Sequence, residues 1–181
     1  IEGYYKQLDG LTLLQNNEGN QRKETLKGDG RSFGTDFYIQ KKLGKHDFWA
    51  SYTLSKTEER FENLDNYLYR NAAHDQRHEV KGAALLNFSP VFLSANYVYG
   101  SGLQDVNEST SSSLIPYQRL DIAFMYKFKA KNYKFETGIS IINVLNTENL
   151  RYSDYLNNNN GNTYYSQAMP FTPTLFLNIG F

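Results

Sequence analysis

The sequence predicts an all-β protein, an antiparallel transmembrane β-barrel, on three observations. The C-terminal segment alternates with period two to the last position, and its apolar face consists of Phe171, Leu175, Leu177, Ile179 and Phe181. Short connections alternate with long polar ones, the pattern of periplasmic turns and extracellular loops. Mean hydropathy is −0.62, and no run approaches the ~20 apolar residues of a membrane helix. A helical membrane protein is therefore excluded, whereas in a barrel only alternate residues need to face lipid.

The first strand is expected to be incomplete. The chain opens on Ile1 in the segment IEGYYKQL, which is typical of the middle or end of a strand. These opening residues do not have the pattern of a signal peptide. We therefore expect the 181 residues to be a fragment, whose first and last strands pair with other strands, because an unpaired strand edge in lipid is costly.

The strands that follow alternate with period two. Their predicted outward faces are Phe33, Thr35, Phe37, Ile39, Lys41 and Leu43; Phe48, Ala50, Tyr52 and Leu54; Val80, Gly82, Ala84, Leu86 and Phe88; and Val91, Leu93, Ala95, Tyr97 and Tyr99. The intervening residues predict a polar inner face with Asp36, Tyr38 and Gln40; Ser51, Thr53 and Ser55; Lys81 and Asn87; and Ser94 and Asn96.

The last strands continue this pattern. Their outward faces are Leu120, Ile122, Phe124, Tyr126 and Phe128, and then Tyr133, Phe135, Thr137, Ile139 and Ile141. With the terminal strand, the sequence predicts about eight strands of roughly 10 residues, a length that spans the hydrocarbon when tilted. An even number leaves both ends of the segment on the periplasmic side.

The connections between these strands fall into two classes. Tight turns are predicted at residues 44–46, 89–90 and 130–132. Long polar loops are predicted at residues 14–29, 57–76, 103–116 and 147–167, and the Asn-rich tract within the last one is turn-forming.

Composition limits the function. Nineteen basic and nineteen acidic residues cancel, so no bulk charge favours nucleic acid. The absence of cysteine removes disulfides and Cys-ligated zinc. The 15 Tyr and 12 Phe, with Trp49, suit aromatic girdles at the lipid boundary. A soluble β-sandwich would also alternate, but its aromatic residues would have to fill one compact interior, and the inner faces here carry charges.

Several segments resemble the C-terminal barrel of TonB-dependent outer-membrane receptors, particularly those of Bacteroidetes. They are GRSFGTDFYIQKKLG from Gly30, WASYTLSKTEERF from Trp49, HDQRHEVKGAALLNF from His74, YVYGSG from Tyr97, YQRLDIAFMYKF from Tyr117, ISIINVLNTEN from Ile139, and the terminal Phe181. The resemblance covers essentially the whole chain.

The resemblance implies that residues 1–181 are the final strands of a barrel of about 22 strands with an N-terminal plug in its lumen. It implies import of a scarce nutrient, such as a siderophore, cobalamin, glycan or peptide. The implied partners are the remainder of the barrel and its plug, outer-membrane lipid, the TonB-ExbB-ExbD system acting through the plug, and a surface lipoprotein. The plug lies outside this chain, and no cofactor is expected.

Two groups of residues are candidate sites. Charged residues of adjacent inner faces can pair across the ladder and contact a plug or a solute, and they are Arg119, Asp121, Lys134 and Glu136. Tyrosines of the predicted extracellular loops suit either ligand contact or packing between loops, and they are Tyr67, Tyr69, Tyr152, Tyr155, Tyr164 and Tyr165.

Other chemistry is not favoured. His74 and His78 would lie about 13 Å apart on one strand face, too far to share a metal ion. The sequence has no Gly-rich phosphate loop, nucleophile elbow or paired metal-ligand motif, so we do not expect an enzyme.

Two alternatives stay open. The chain could be a complete eight-stranded outer-membrane barrel with a structural or adhesin role, although its small inner residues fill such a narrow interior poorly. A soluble ligand-binding barrel would instead turn Leu175, Leu177 and Ile179 inward.

Overall fold

The computed structural model describes residues 1–16, 23–102, 115–153 and 164–181. The strands are β1 (Glu2–Asn16), β2 (Lys23–Leu43), β3 (His46–Phe61), β4 (Arg70–Asn71), β5 (His78–Phe88), β6 (Val91–Gly100), β7 (Tyr117–Ala130), β8 (Tyr133–Ile142), β9 (Leu150–Ser153), β10 (Tyr164–Gln167) and β11 (Thr172–Gly180). A single 3-10 turn, Asp65–Tyr67, is the one helical element within these ranges. The described chain has no helix of the length and apolar character needed to cross a membrane.

Nine strands form one antiparallel sheet. Its order is β1-β2-β3-β5-β6-β7-β8-β11, with β4 paired to β3, and β9 and β10 form a separate two-stranded ladder. Within the described ranges β1 has β2 as its one neighbour, and β11 has β8. The predicted all-β, antiparallel class is confirmed.

The predicted tight turns are also confirmed, but strands extend into the first, second and fourth predicted long loops. Turns lie at residues 44–45, 89–90 and 131–132. The first predicted loop is wrong over most of its length, because the β1–β2 ladder continues to the pair Asn16 and Lys23. β3 likewise runs to Phe61, and β4 lies within the second predicted loop. Strand ends that are polar on both faces have no apolar alternation, yet their backbone groups still pair in the ladder.

The remaining predicted loops are only partly described. Residues 103–114 and 154–163 lie outside the described ranges. In the last predicted loop, residues 147–167, the β9–β10 ladder pairs Leu150 with Gln167 and Ser153 with Tyr164. That part of the prediction is therefore also wrong.

The described chain packs as two compact units. The first comprises residues 1–16, 23–37, 53–78 and 101–102, and the second comprises residues 38–52, 79–100, 115–153 and 164–181. The first unit holds all three buried apolar side chains of the described chain, Leu26, Phe61 and Ala72. Phe61 lies against Gly28, where a Cβ atom would stand 2.5 Å from the ring. Only glycine permits this approach.

The second unit exposes its large apolar side chains. Along β7, Ile122, Phe124, Tyr126 and Phe128 are 39, 41, 38 and 37% exposed, whereas the intervening Ala123, Met125 and Lys127 are half-buried. The strand register extends this face across five strands in the row Leu86, Leu93, Phe124, Ile139 and Leu175. We call this surface of β5, β6, β7, β8 and β11 the apolar face.

The opposite surface of the same strands, here called the polar face, carries mainly small and polar residues, together with Leu85, Phe92 and Met125. One row across it is Leu85, Ser94, Ala123, Ser140 and Thr174, and another is Lys127, Glu136 and Asn178. Phe176 lies on this face with its ring over Gly138, where a Cβ atom would stand 2.7 Å from the ring and 2.2 Å from the Phe124 carbonyl oxygen. An aromatic ring thus covers a glycine of the neighbouring strand.

Candidate functional site

The register places all four predicted inner charges on the polar face, but it pairs them differently from the prediction. Arg119 binds Asp121 along the same strand, with Nη2 3.0 Å from Oδ2. The other carboxylate oxygen of Asp121 accepts the backbone N–H of Asn143 at 2.9 Å. This ion pair therefore also fixes the start of the segment after β8.

Glu136 pairs across the ladder with Lys127, whose Nζ lies 2.6 Å from Oε1. Lys134 faces another cation, because its register partner is Lys129. The two-residue turn at 131–132 sets this register. Counting outward from that turn would have identified Lys127, which sequence reasoning did not select.

Tyr67 and Tyr69, two of the predicted ligand-contact tyrosines, come together over β2 and β3. The Tyr67 hydroxyl donates to Asp29 Oδ2 at 2.6 Å. The Arg60 guanidinium lies 4.3 Å from the Tyr67 ring centre and 4.7 Å from that of Tyr69, while Arg31 lies 4.1 Å from the Tyr69 ring. The order Arg31, Tyr69, Arg60, Tyr67 is thus an alternating series of cations and rings.

Carboxylates hold the two arginines of this series. Arg60 Nη2 donates to Asp29 Oδ2 at 3.3 Å, and Arg31 Nε donates to Glu58 Oε2 at 2.6 Å. Lys56 Nζ lies 2.5 Å from the other oxygen of Glu58. The hydrogen bond to the Asp29 carboxylate raises the pKa of the Tyr67 phenol above its ordinary value. We call Asp29, Arg31, Glu58, Arg60, Tyr67 and Tyr69 the charged aromatic cluster.

The backbone that presents Tyr67 is strained. Asn63, Asp65, Asn66 and Tyr67 have φ angles of 61°, 50°, 53° and 60°, in the left-handed region that costs an L-residue roughly 1–2 kcal/mol. Asn and Asp tolerate this region better than a tyrosine does. Sequence reasoning missed this turn because it contains no glycine.

For the other four predicted tyrosines the structure describes at most the backbone. The backbones of Tyr152 and Tyr165 are paired in the β9–β10 ladder, and Tyr164 faces Ser153. Their side chains, and all of Tyr155, lie outside what the structure describes. They stay predictions.

The predicted C-terminal set is exposed throughout. Leu175, Leu177, Ile179 and Phe181 are 80, 60, 52 and 102% exposed, and Phe171, just before β11, is also exposed. The two-residue period of β11 places Leu175, Leu177 and Ile179 on one face, which through Leu175 is continuous with the apolar face. These three residues are therefore part of a larger apolar surface.

Two buried asparagines, which sequence reasoning did not select, organise the chain after β8. Asn143 Nδ2 donates to the carbonyl oxygens of Thr147 and Met169 at 3.0 and 3.1 Å, and its Oδ1 accepts the Thr147 N–H at 3.2 Å. Asn149 exchanges two hydrogen bonds of 2.8 Å with the backbone of Gln118. These amides act as structural anchors.

The described residues contain no group of three His, Cys, Asp or Glu side chains that could hold a metal ion. No protein-family model, no curated protein and no solved structure matches the chain. The function is therefore argued from the geometry and from the resemblance.

Proposed function

We propose that this chain forms part of the lipid-facing wall of an outer-membrane β-barrel. On the sequence resemblance, it is the C-terminal barrel segment of a TonB-dependent receptor that imports a scarce nutrient. The observation that carries the proposal is the apolar face, where large side chains such as Leu93, Phe124 and Leu175 are exposed while the described part of the second unit has no buried hydrophobic side chain.

Covering the apolar face with an apolar environment is favourable, because it removes large apolar side chains from water. Burying one Leu, Ile or Phe side chain stabilises a protein by about 1.5–3 kcal/mol, and the row from Leu86 to Leu175 alone holds five apolar residues. A β-sandwich would cover such a face with a second sheet, whereas the second sheet of the described part of this unit is the two-stranded β9–β10 ladder, and Phe124 and Leu175 of the face remain exposed. Lipid supplies the same cover.

The dimensions of the face fit a bilayer. Leu120 and Phe128 are eight positions apart on β7, which corresponds to about 27 Å along the strand and about 20 Å at the usual barrel tilt, compared with an apolar band of ~25 Å. Aromatic rings gather near the 131–132 turn. Phe128 stacks on Phe135 at 4.8 Å and on Tyr126 at 5.6 Å, and Tyr133 contacts Phe181 edge-on at 6.5 Å. This is the arrangement of an interfacial girdle.

In this proposal the polar face lines the lumen. The Arg119–Asp121 and Lys127–Glu136 pairs would then meet the plug or a passing solute, and the charged aromatic cluster would lie at the extracellular end. Energy coupling through TonB-ExbB-ExbD would act on the plug, outside this chain. The ligand class rests on the resemblance alone.

Single cysteines along β7 test the proposal directly, since the natural chain contains none. Ile122→Cys, Phe124→Cys and Tyr126→Cys probe the apolar face, and Ala123→Cys, Met125→Cys and Lys127→Cys are the matched controls. Spin labels at the first three should collide with oxygen and avoid a water-soluble nickel chelate in outer membranes. Labels at the other three should behave oppositely.

Two results would contradict this assignment. One is that the accessibility of the spin labels to oxygen and to the nickel chelate does not alternate from one position of β7 to the next. The other is a water-soluble chain in which Phe124→Cys is protected from every reagent, as expected for a soluble core.

The eight long strands of the sheet favour a second candidate, a complete eight-stranded outer-membrane barrel with a structural or adhesin role. That barrel would require a ladder between β1 and β11.

A further inference from the structure

Residues 63–69 form a segment whose backbone is attached to the strands beneath it only at its start. Leu64 N–H donates to the carbonyl of Phe61, the last residue of β3, at 3.3 Å. The other backbone hydrogen bonds of this segment among the described residues are internal, with Tyr67 N–H donating to the Leu64 carbonyl at 2.8 Å and Leu68 N–H to that of Asp65 at 3.1 Å. Just before this segment, Glu62 N–H donates to the Lys27 carbonyl of β2 at 2.8 Å. Just after it, β4 pairs with β3.

The second half of the same connection is held differently. Ala72 N–H donates to the Thr57 carbonyl at 3.0 Å, and Ser55 N–H donates to the Arg77 carbonyl at 3.1 Å. The buried Asp75 carboxylate accepts the Thr57 N–H at 2.6 Å. Backbone hydrogen bonds to β3 thus fix residues 72–77, whereas residues 65–69 are held over β2 and β3 by their side chains.

Those side chains belong to the charged aromatic cluster. The Tyr67 hydroxyl on Asp29 is the shortest contact, and the rings of Tyr67 and Tyr69 lie on the guanidinium groups of Arg60 and Arg31. Arg70 adds a contact inside the connection, with Nη1 3.7 Å from Asp65 Oδ2. Within residues 63–69, Tyr67 is the one residue whose side chain is hydrogen-bonded to β2 in the part of the chain that the structure describes.

Two features of residues 63–69, as they lie over β2 and β3, are energetically unfavourable. Four residues of the turn are in the left-handed region, and such strain persists only where surrounding contacts enforce it. The Nε atoms of Arg60 and Arg70 are buried without a hydrogen-bond partner among the described residues. Opening would release the backbone and let water reach both donors.

We propose that residues 63–69 are a flap, latched over β2 and β3 by the Tyr67–Asp29 hydrogen bond, which opens to uncover Arg31 and Arg60. In the closed flap the rings of Tyr69 and Tyr67 cover these two guanidinium groups, while Leu68 and Tyr67 remain exposed at its tip. Its opening is a local event that leaves residues 72–77 in place. The inference rests on the geometry of the first unit alone and holds whichever function the chain serves.

Hydrogen–deuterium exchange of the full protein tests the latch, with Tyr67→Phe as the variant. This change removes the hydroxyl and keeps the ring on Arg60, so peptides covering residues 63–69 should exchange about tenfold faster, as expected for a lost hydrogen bond to a charged group. Tyr69→Phe is the matched control. It is the same chemical change two residues away, and the Tyr69 hydroxyl has no hydrogen bond to another described residue, so exchange should stay at the natural rate.

Peptides from residues 72–77 and from β7 should be unaffected in both variants, which also verifies folding. The proposal is overturned if Tyr67→Phe and Tyr69→Phe exchange alike over residues 63–69. It is equally overturned if residues 72–77 open together with them. Should Tyr67→Phe fail to fold, Asp29→Asn, which removes the charge from the acceptor, is measured against the same peptides.

Discussion

Individual polar residues in this chain act mainly by holding backbone in place. Asn143 and Asn149 are almost completely buried, and their side chains satisfy backbone groups that have left the sheet. Asn143 also takes a φ of 55°, which asparagine tolerates. A buried amide with several backbone partners is therefore the residue type on which this region depends most.

Replacing Asn143 with Ala should lower the free energy of unfolding by about 2–4 kcal/mol, because Thr147 N–H and the carbonyls of Thr147 and Met169 lose their partner. The single Trp49 gives a fluorescence signal for urea unfolding in lipid vesicles.

Asn146→Ala is the matched control for this experiment. Asn146 also has a left-handed φ, 48°, but its side chain accepts one exposed hydrogen bond of 3.3 Å from Phe171 N–H. We expect a loss below about 1 kcal/mol. Equal losses in the two variants would mean that backbone conformation, and not the amide contacts, sets the cost.

Sequence reasoning identified candidate residues where the alternation of a strand assigns them to one face. It missed contacts between residues that are far apart in the sequence. Alternation was enough to select Arg119, Asp121, Lys134 and Glu136 as residues of one face. It could not identify Asp29 as the partner of Tyr67, which is 38 positions away. Contacts of that separation depend on how a loop folds back, which local pattern does not encode.

At the level of strands, the alternation of apolar and polar residues predicted which side chains share a face. It failed at strand ends, where β1, β2 and β3 extend into polar sequence. There the ladder is maintained by backbone hydrogen bonds and cross-strand pairs, such as Arg31 on Glu58. Trp49, predicted for a girdle, stacks on Tyr38 at 6.2 Å, on the side of β3 that also carries Ser51 and Thr53.

The terminal strand allows the two faces to be compared at adjacent positions. Leu175→Arg should destabilise the protein by about 2–4 kcal/mol in vesicles if β11 faces lipid, whereas Thr174→Arg should cost less than about 1 kcal/mol because a lumen accepts charge. Unfolding in urea again provides the measurement. A larger loss for Thr174→Arg would reverse the assignment of the two faces.

On the scale of the whole molecule, the sheet ends on two strands with one described neighbour each, β1 and β11. The sequence predicted the class, the tight turns and the number of long strands, because each depends on local pattern. Barrel size depends on what lies beyond each edge strand, which the pattern within a strand does not specify.

Double cysteines distinguish the two barrel sizes. Tyr5→Cys is combined in turn with Leu175→Cys, Leu177→Cys and Ile179→Cys, and the proposed receptor segment should form no disulfide within the chain in any of the three. The positive control is Tyr5→Cys with Phe33→Cys, because these residues are directly opposite in the β1–β2 ladder. A disulfide between β1 and β11 would instead support the closed eight-stranded barrel.

The outward placement of the apolar side chains also determines when such a chain can fold. The described residues bury only three apolar side chains. In water such a chain therefore cannot first collapse around a hydrophobic core and assemble afterwards. Under the proposed function, folding and insertion are one event at the bilayer surface. During its passage through the periplasm the chain must then stay extended on a holding chaperone, because its apolar segments would otherwise aggregate.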